Sequence, residues 1–314
     1  MASLPVINGL SGARSGIAKR TPLPNRAQSN RSGLPPSWRR GNTRDESFSQ
    51  QPVVEEMNMG VATSLQHVLR GALLGLTTVC LLGAAASVFA AAQPEQDRLK
   101  GPAGELEITF LGHASLILSA GGTVVHVDPF GKVADYAALP KADVILITHE
   151  HPDHLDPAAL PLVRKETTRV IASAAVARQV MGAAILENGA RTSVGNLLVE
   201  AVPAYNFKNL RDNGEPFHPK GRGNGYVVTM AGLRIYIAGD TENIPEMKNL
   251  RNIDVAFLPM NLPYTMTPEM TAAAARLVSP KILYPYHFGE TDTSRLVELL
   301  KDRPDIEVRI RHMP

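Results

Sequence analysis

Apolar residues in this chain recur in short runs rich in Val, Ile and Leu, broken by Gly, Pro and Asp, a pattern that predicts strands rather than long helices. Glu107 to Leu118 and Thr123 to Val127 flank Gly121-Gly122 and predict a hairpin that ends at Asp128-Pro129. Val144 to Thr148, Val170 to Ala172 and Leu197 to Val202 follow as strands. Further along come Gly225 to Met230, Leu233 to Ala238, Asp254 to Pro259, Ile282 to Tyr286 and Glu307 to Arg311. Ala174 to Met181, Pro268 to Val278 and Ser294 to Lys301 read as helices, the second capped by Thr267 with Glu269 in its first turn. Hairpins in both the first half and the middle, with helices dispersed among them, predict an α+β fold: an αββα sandwich of two mixed sheets flanked by helices. The polar stretch from Tyr205 to Asn224 is a long loop, and such loops in compact domains commonly serve function.

What precedes this pattern differs in kind. Residues 1–56 are rich in Ser, Arg, Pro, Asn and Gln without apolar periodicity, so they are expected to form a disordered basic leader, with Met57 or Met59 as a conventional start. Residues 57–92 carry Arg70, an apolar stretch and Ala90-Ala91-Ala92, the layout of a secretory signal peptide that would place the domain in the periplasm or outside the cell. The alternative is an uncleaved anchor through residues 71–92, with contact to the membrane. Residues 93–104 are expected to be a linker and residues 105–314 the folded domain.

Charge divides along the same line. Before Gln93 there are nine Lys or Arg against four Asp or Glu, and from Gln93 onward 23 against 26. The domain is therefore slightly acidic and shows no basic stripe with interleaved aromatics, which argues against nucleic acid as the substrate; a small-molecule substrate is expected. The single cysteine, Cys80, lies in the apolar leader, so any metal in the domain must be held by nitrogen and oxygen.

The candidate chemistry centres on Thr148-His149-Glu150-His151-Pro152-Asp153-His154-Leu155-Asp156, where three of the chain's nine histidines follow an apolar strand. His149 and His151, two apart, can point the same way as the strand ends, and the turn at Pro152 returns Asp153 and His154 toward them. Imidazoles with a carboxylate suit zinc or a similar divalent ion. Two more strands end in a candidate ligand, Leu233 to Ala238 in Asp240 and Ile282 to Tyr286 in His287.

The set His149-x-His151-x-Asp153-His154, Gly239-Asp240-Thr241 and Tyr286-His287 resembles the metallo-β-lactamase superfamily of metal-dependent hydrolases. Leu111-Gly112-His113-Ala114-Ser115 and Asp128-Pro129-Phe130 are similar to the branch that contains the ascorbate-6-phosphate lactonase and the N-acyl-phosphatidylethanolamine phospholipase D. The resemblance implies a metal-bridged hydroxide attacking an ester, lactone or phosphodiester, with two divalent ions roughly 3.5 to 4 Å apart, zinc first and manganese or iron as alternatives. It places His149 and His151 on one ion, Asp153, His154 and His287 on the other, and Asp240 between them, with Asp153 also accepting or relaying a proton. This chain departs from the branch at Tyr205-Asn206, where a histidine is usual, and His218 in the following loop is expected to take that place. His113 and Asp128 are expected behind the ligands, and Tyr205, Asn206, Lys220 and Arg222 around the substrate, with Tyr264-Thr265-Met266 as an opposite wall. The same departure leaves a non-catalytic metal-binding or sensing module as the alternative, and a nuclease as a third reading that the acidic balance disfavours.

Overall fold

The computed structural model describes residues 93–314, so the leader and the signal or anchor segment expected in residues 1–92 lie outside the described residues. The first sheet contains β1 (Glu95–Gly101), β2 (Gly104–Gly112), β3 (Ser115–Ala120), β4 (Thr123–Val127), β5 (Val144–Ile147), β6 (Arg169–Ala172) and β7 (Ala184–Ile185), in that order across the sheet. The second contains β8 (Arg191–Val194), β9 (Leu197–Ala204), β10 (Gly223–Met230), β11 (Leu233–Ile237), β12 (Val255–Pro259), β13 (Ile282–Tyr286) and β14 (Glu307–Val308), again in sequence order. In each sheet the first four strands pair antiparallel and the rest parallel. The two halves thus share one plan of backbone pairing, which residue identities do not display.

Alternation within the strands sorts the side chains into layers. Val144 and Leu146 of β5 and Ile235 and Ile237 of β11 enter the core between the sheets, together with Phe110, Tyr226, Phe257 and Tyr284. Ile145 and Ile147 turn the other way, onto α1 (Ala159–Val163) and α2 (Ala174–Ala177). Tyr236, Ala256 and Leu258 pack under α3 (Pro268–Val278) and α4 (Ser294–Leu299). This is the expected αββα sandwich. Thr267 caps α3 as its position predicts, its side chain accepting from Met270 N at 3.1 Å. Among the described residues no helix is long and apolar enough to cross a membrane.

Several local expectations need correction. The stretch read as a linker, residues 93–104, contains β1, which pairs with β2 from Glu95↔Phe110 to Gly101↔Gly104. Its apolar content is too low to signal a strand; tertiary contacts hold it, because Asp97 accepts from Tyr284, Arg309 and Arg311. The single run Glu107 to Leu118 is two strands, broken at His113, whose φ is +54°. The helix from Ala174 stops at Ala177, and the last strand at Val308, after which Arg309 and Arg311 leave the sheet and turn their guanidiniums to Asp97.

His126, on β4, provides a pH test of this packing. It is fully buried, its Nε2 lies 2.9 Å from the Pro140 carbonyl, and burial pushes its pKa down to about 4 despite that bond. The folded state therefore refuses a proton that the unfolded chain takes up below about pH 6.5. His126 leaves stability unchanged above that pH and lowers it progressively toward pH 4, by about 3 kcal/mol in all. His126→Phe is expected to lose that part of the acid slope, read as the difference between variant and parent in urea unfolding from pH 7 to 4.5.

Candidate metal centre

The carboxyl ends of the central strands meet at one edge of the sandwich, where open α/β sheets place their ligands. β4 delivers Asp128, β5 delivers Thr148 and His149, β11 delivers Asp240 through Gly239, and β13 delivers His287. The turn between β2 and β3 adds His113, whose carbonyl accepts from His287 N at 2.9 Å and ties the two sheets together here. Of the six non-glycine residues with positive φ among the described residues, three are His113 (54°), Asp128 (42°) and His287 (49°), so backbone strain concentrates at this edge. Gly239 has φ +65°, and a Cβ there would lie 2.9 Å from the Asn224 carbonyl oxygen, which leaves no room for another residue.

Two groups of ligand atoms face each other. In the first, His151 Nδ1 lies 3.0 Å from His149 Nε2 and 3.2 Å from His218 Nε2. The second holds His154, His287, Asp153 and His113, with Asp153 Oδ2 at 3.7 Å from His154 Nε2, 3.6 Å from His287 Nε2 and 3.0 Å from His113 Nε2. Asp240 stands between them: Oδ2 is 3.3 Å from His218 Nε2, 3.9 Å from His149 Nε2 and 3.5 Å from His287 Nε2, and Oδ1 is 3.4 Å from His154 Nε2. His154 Nε2, His287 Nε2 and Asp240 Oδ1 are buried without a hydrogen-bond partner. Buried polar atoms left bare and aimed at one point fit a cation.

Hydrogen bonds behind the ring nitrogens fix which way each lone pair points. His154 Nδ1 lies 2.8 Å from Asp128 Oδ2, and Asp128 also accepts from Thr148 N at 2.8 Å and from its hydroxyl at 2.6 Å. That hydroxyl, its hydrogen committed to Asp128, accepts from His149 Nδ1 at 3.1 Å. His218 Nδ1 donates to Asn206 Oδ1 at 2.6 Å. In all three imidazoles Nδ1 carries the hydrogen outward and Nε2 faces the centre.

Burial and the neighbouring imidazolium of His154 hold the His149 pKa well below its ordinary value, so that ring is neutral, the form that binds metal. Burial alone would favour a protonated Asp240, but His287 and His154 reverse this and hold it well below the carboxylate range. Asp153 behaves alike: burial opposes its charge, and the hydrogen bond with His113 and the nearby rings of His287 and His154 outweigh it. For His154, burial works against a charge, yet Asp240 and Asp128 raise its pKa well above normal.

Every metal-site residue expected from the sequence, His149, His151, Asp153, His154, His218, Asp240 and His287, is in this cluster, with His113 and Asp128 against it. The expected substrate residues do not line the larger cleft over it, although Arg222 lines a small pocket beside His149, His151 and Asp240. Tyr205 is buried and donates its hydroxyl to Glu246 at 2.9 Å; Lys220 pairs with Glu246 at 2.6 Å and Arg222 with Glu150. Asn206 is buried and spends its amide on His218, Glu242 and the Tyr264 carbonyl. A charged loop finds carboxylates of its own, which sequence position does not reveal. A cleft of about 410 Å³ opens over the cluster, walled by Arg211, Phe217, Asn261 and Tyr264. Tyr264 is thus on the wall as expected, whereas Thr265 and Met266 are fully buried. Sequence reasoning missed Glu242, Thr148, Arg211 and Asn261; only the placement of Glu242 and Thr148 beside the strand-end ligands was a usable signal.

A sandwich of two mixed sheets with a histidine and aspartate cluster at its strand ends defines a metallo-hydrolase class, and comparison with known proteins agrees. A family model described as a beta-lactamase superfamily domain matches residues 107–287, and the chain belongs to that superfamily as a metal-dependent hydrolase. A metal-dependent hydrolase of Archaeoglobus fulgidus is 32% identical over 220 residues, covering 66% of this chain and 91% of the relative. A crystal structure described as a metal-dependent hydrolase from Parabacteroides distasonis is 50% identical, with a TM-score of 0.68, covering 70% of this chain and 100% of the other. A metallo hydrolase of Ignicoccus hospitalis shares the fold at 22% identity and a TM-score of 0.55, covering 65% of this chain and 94% of that one.

Proposed function

We propose that this hydrolase holds two divalent ions, zinc foremost, and cleaves a small ester, lactone or phosphodiester outside the cytoplasm. The observation that carries the reading is Asp240, a buried carboxylate standing between two sets of inward-facing nitrogens. His149, His151 and His218 would hold one ion, and His154, His287 and Asp153 the other, with Asp240 shared. Bound there, such a pair supplies an activated water and a Lewis acid for the oxygen of the scissile group.

The chain's own residues do the rest. Asp153, partly exposed to the cleft and ionised, would relay a proton from the attacking water, with His113 at 3.0 Å orienting it. Phe217 and Tyr264, with ring centroids 5.1 Å apart, form an apolar wall that excludes water from one side of the cleft. His218 stands with His149 and His151, which supports a complete site over a non-catalytic module. The cleft volume suits a small molecule rather than a polymer. Export is supported by the order Arg70, apolar stretch, triple alanine in the leader.

The full chain expressed in a secreting host tests all of this together. The expected results are a mature N-terminus near Gln93, close to two equivalents of metal by elemental analysis, and turnover of some member of a panel of neutral esters, lactones and phosphodiesters. A protein that takes up no divalent metal on reconstitution would sink the reading.

A further inference from the structure

Glu242 is fully buried. Its carboxylate collects amide hydrogens: Phe207 N donates at 3.1 Å, Lys208 N at 2.9 Å, Asn209 N at 2.5 Å and the Asn206 side-chain nitrogen at 3.3 Å. A buried carboxyl group is costly unless its oxygens are hydrogen-bonded, and here four amide groups meet it and fix its place beside Asn206. None of these partners touches the cleft chemistry directly. Asn206 does so at one remove.

Resting on the metal-site reading above, we propose that Glu242 is a positioning residue: through Asn206 it fixes the tautomer and place of His218, and so the affinity of the first histidine group for its ion. One side-chain amide makes the connection. Asn206 Nδ2 is claimed by Glu242 and by the Tyr264 carbonyl at 2.9 Å, which turns Oδ1 toward His218. Oδ1 then accepts from His218 N at 3.1 Å and from His218 Nδ1 at 2.6 Å. With Nδ1 protonated, Nε2 keeps its lone pair toward His151 and Asp240. A flipped amide would face Nδ1 with its NH2 group, move the ring hydrogen to Nε2 and close that position to a cation. Glu242 also follows Asp240 by two residues, and between them Thr241 Oγ1 accepts from Tyr205 N at 3.1 Å. One short segment therefore carries the shared carboxylate and anchors the loop that returns the histidine.

The test uses the full chain, metal-free and zinc-reconstituted, with zinc as the probe. Nitrogen NMR of labelled histidine in the metal-free protein is expected to show His218 protonated on Nδ1, and Glu242→Gln is expected to shift it toward the Nε2 form. In competition against a chromophoric chelator, the variant should bind one zinc ion roughly 10 to 100-fold more weakly and the other unchanged. Glu246→Gln, which removes a carboxylate bonded to Lys220 and Tyr205 but not to Asn206, should match the parent in both measurements. If Glu242→Gln does not fold, Asn206→Ala carries the same test, because it removes the oxygen facing His218 and leaves the backbone bonds to Glu242. Nδ1 protonation that survives in the folded variants, or two zinc ions bound as in the parent, overturns the proposal. A parent that binds no zinc defeats the hydrolase reading, and the tautomer shift then decides about Glu242 by itself.

Discussion

Asp240→Asn is expected to abolish turnover, by on the order of 10³-fold or more, while leaving the metal-free fold intact. Its oxygens reach His218 and His149 of one group and His287 and His154 of the other, so a single change weakens both ion positions. Partners that only orient ligands cost 10 to 100-fold in affinity, and a shared ligand should cost more than about 100-fold for zinc. Asparagine keeps the volume, and the charge of His154 stays paired with Asp128 at 2.8 Å, so the metal-free melting temperature should move little. Zinc at about 1,000 times the parent's dissociation constant should stabilise the parent by about 4 kcal/mol and the variant by less than about 1.5 kcal/mol. A variant that kept two zinc ions and measurable hydrolysis would contradict the shared-ligand geometry.

The second large effect is at Asp128, which touches no cleft atom. It is fully buried and accepts from Thr148 N, Thr148 Oγ1 and His154 Nδ1. Asp128→Ala leaves those donors without partners, and a cost of about 3 to 5 kcal/mol in chemical unfolding is expected. Asp128→Asn separates structure from site. Its oxygen can still serve Thr148 N, but its NH2 would face His154 Nδ1 and drive the ring hydrogen to Nε2, toward the centre. The asparagine variant should therefore unfold much closer to the parent yet lose zinc from the group of His154, His287 and Asp153. Equal metal content in parent and asparagine variant would show that Asp128 acts on stability alone.

Much of this was readable in advance where the chemistry is local. His149, His151, Asp153 and His154 lie within six consecutive residues after a buried strand, so strand geometry and one proline turn suffice to gather them. Asp240 and His287 were legible as strand ends because apolar runs of strand length stop directly before them. The substrate wall was not. Lys220 and Arg222 looked free in the sequence and are paired with Glu246 and Glu150, whereas Arg211, in the same loop, lines the cleft. Charge pairing across a fold depends on which loops meet, and no spacing rule carries that. β1 was missed for a related reason: only Leu99 in it is an apolar side chain of any size, and the strand is held by Asp97 reaching residues near the opposite end of the domain.

By itself, then, the sequence determined the layered architecture, the strand-end cluster and the nitrogen and oxygen character of the site, since each follows from periodicity or from neighbours along the chain. The tertiary structure alone decided that His218 stands beside His151, that Asn206 and Glu242 lie behind it, and which side chains face the cleft. Those relations join residues far apart in sequence, and they are set by hydrogen bonds to backbone groups that are chemically alike at every position and become distinct only once folded.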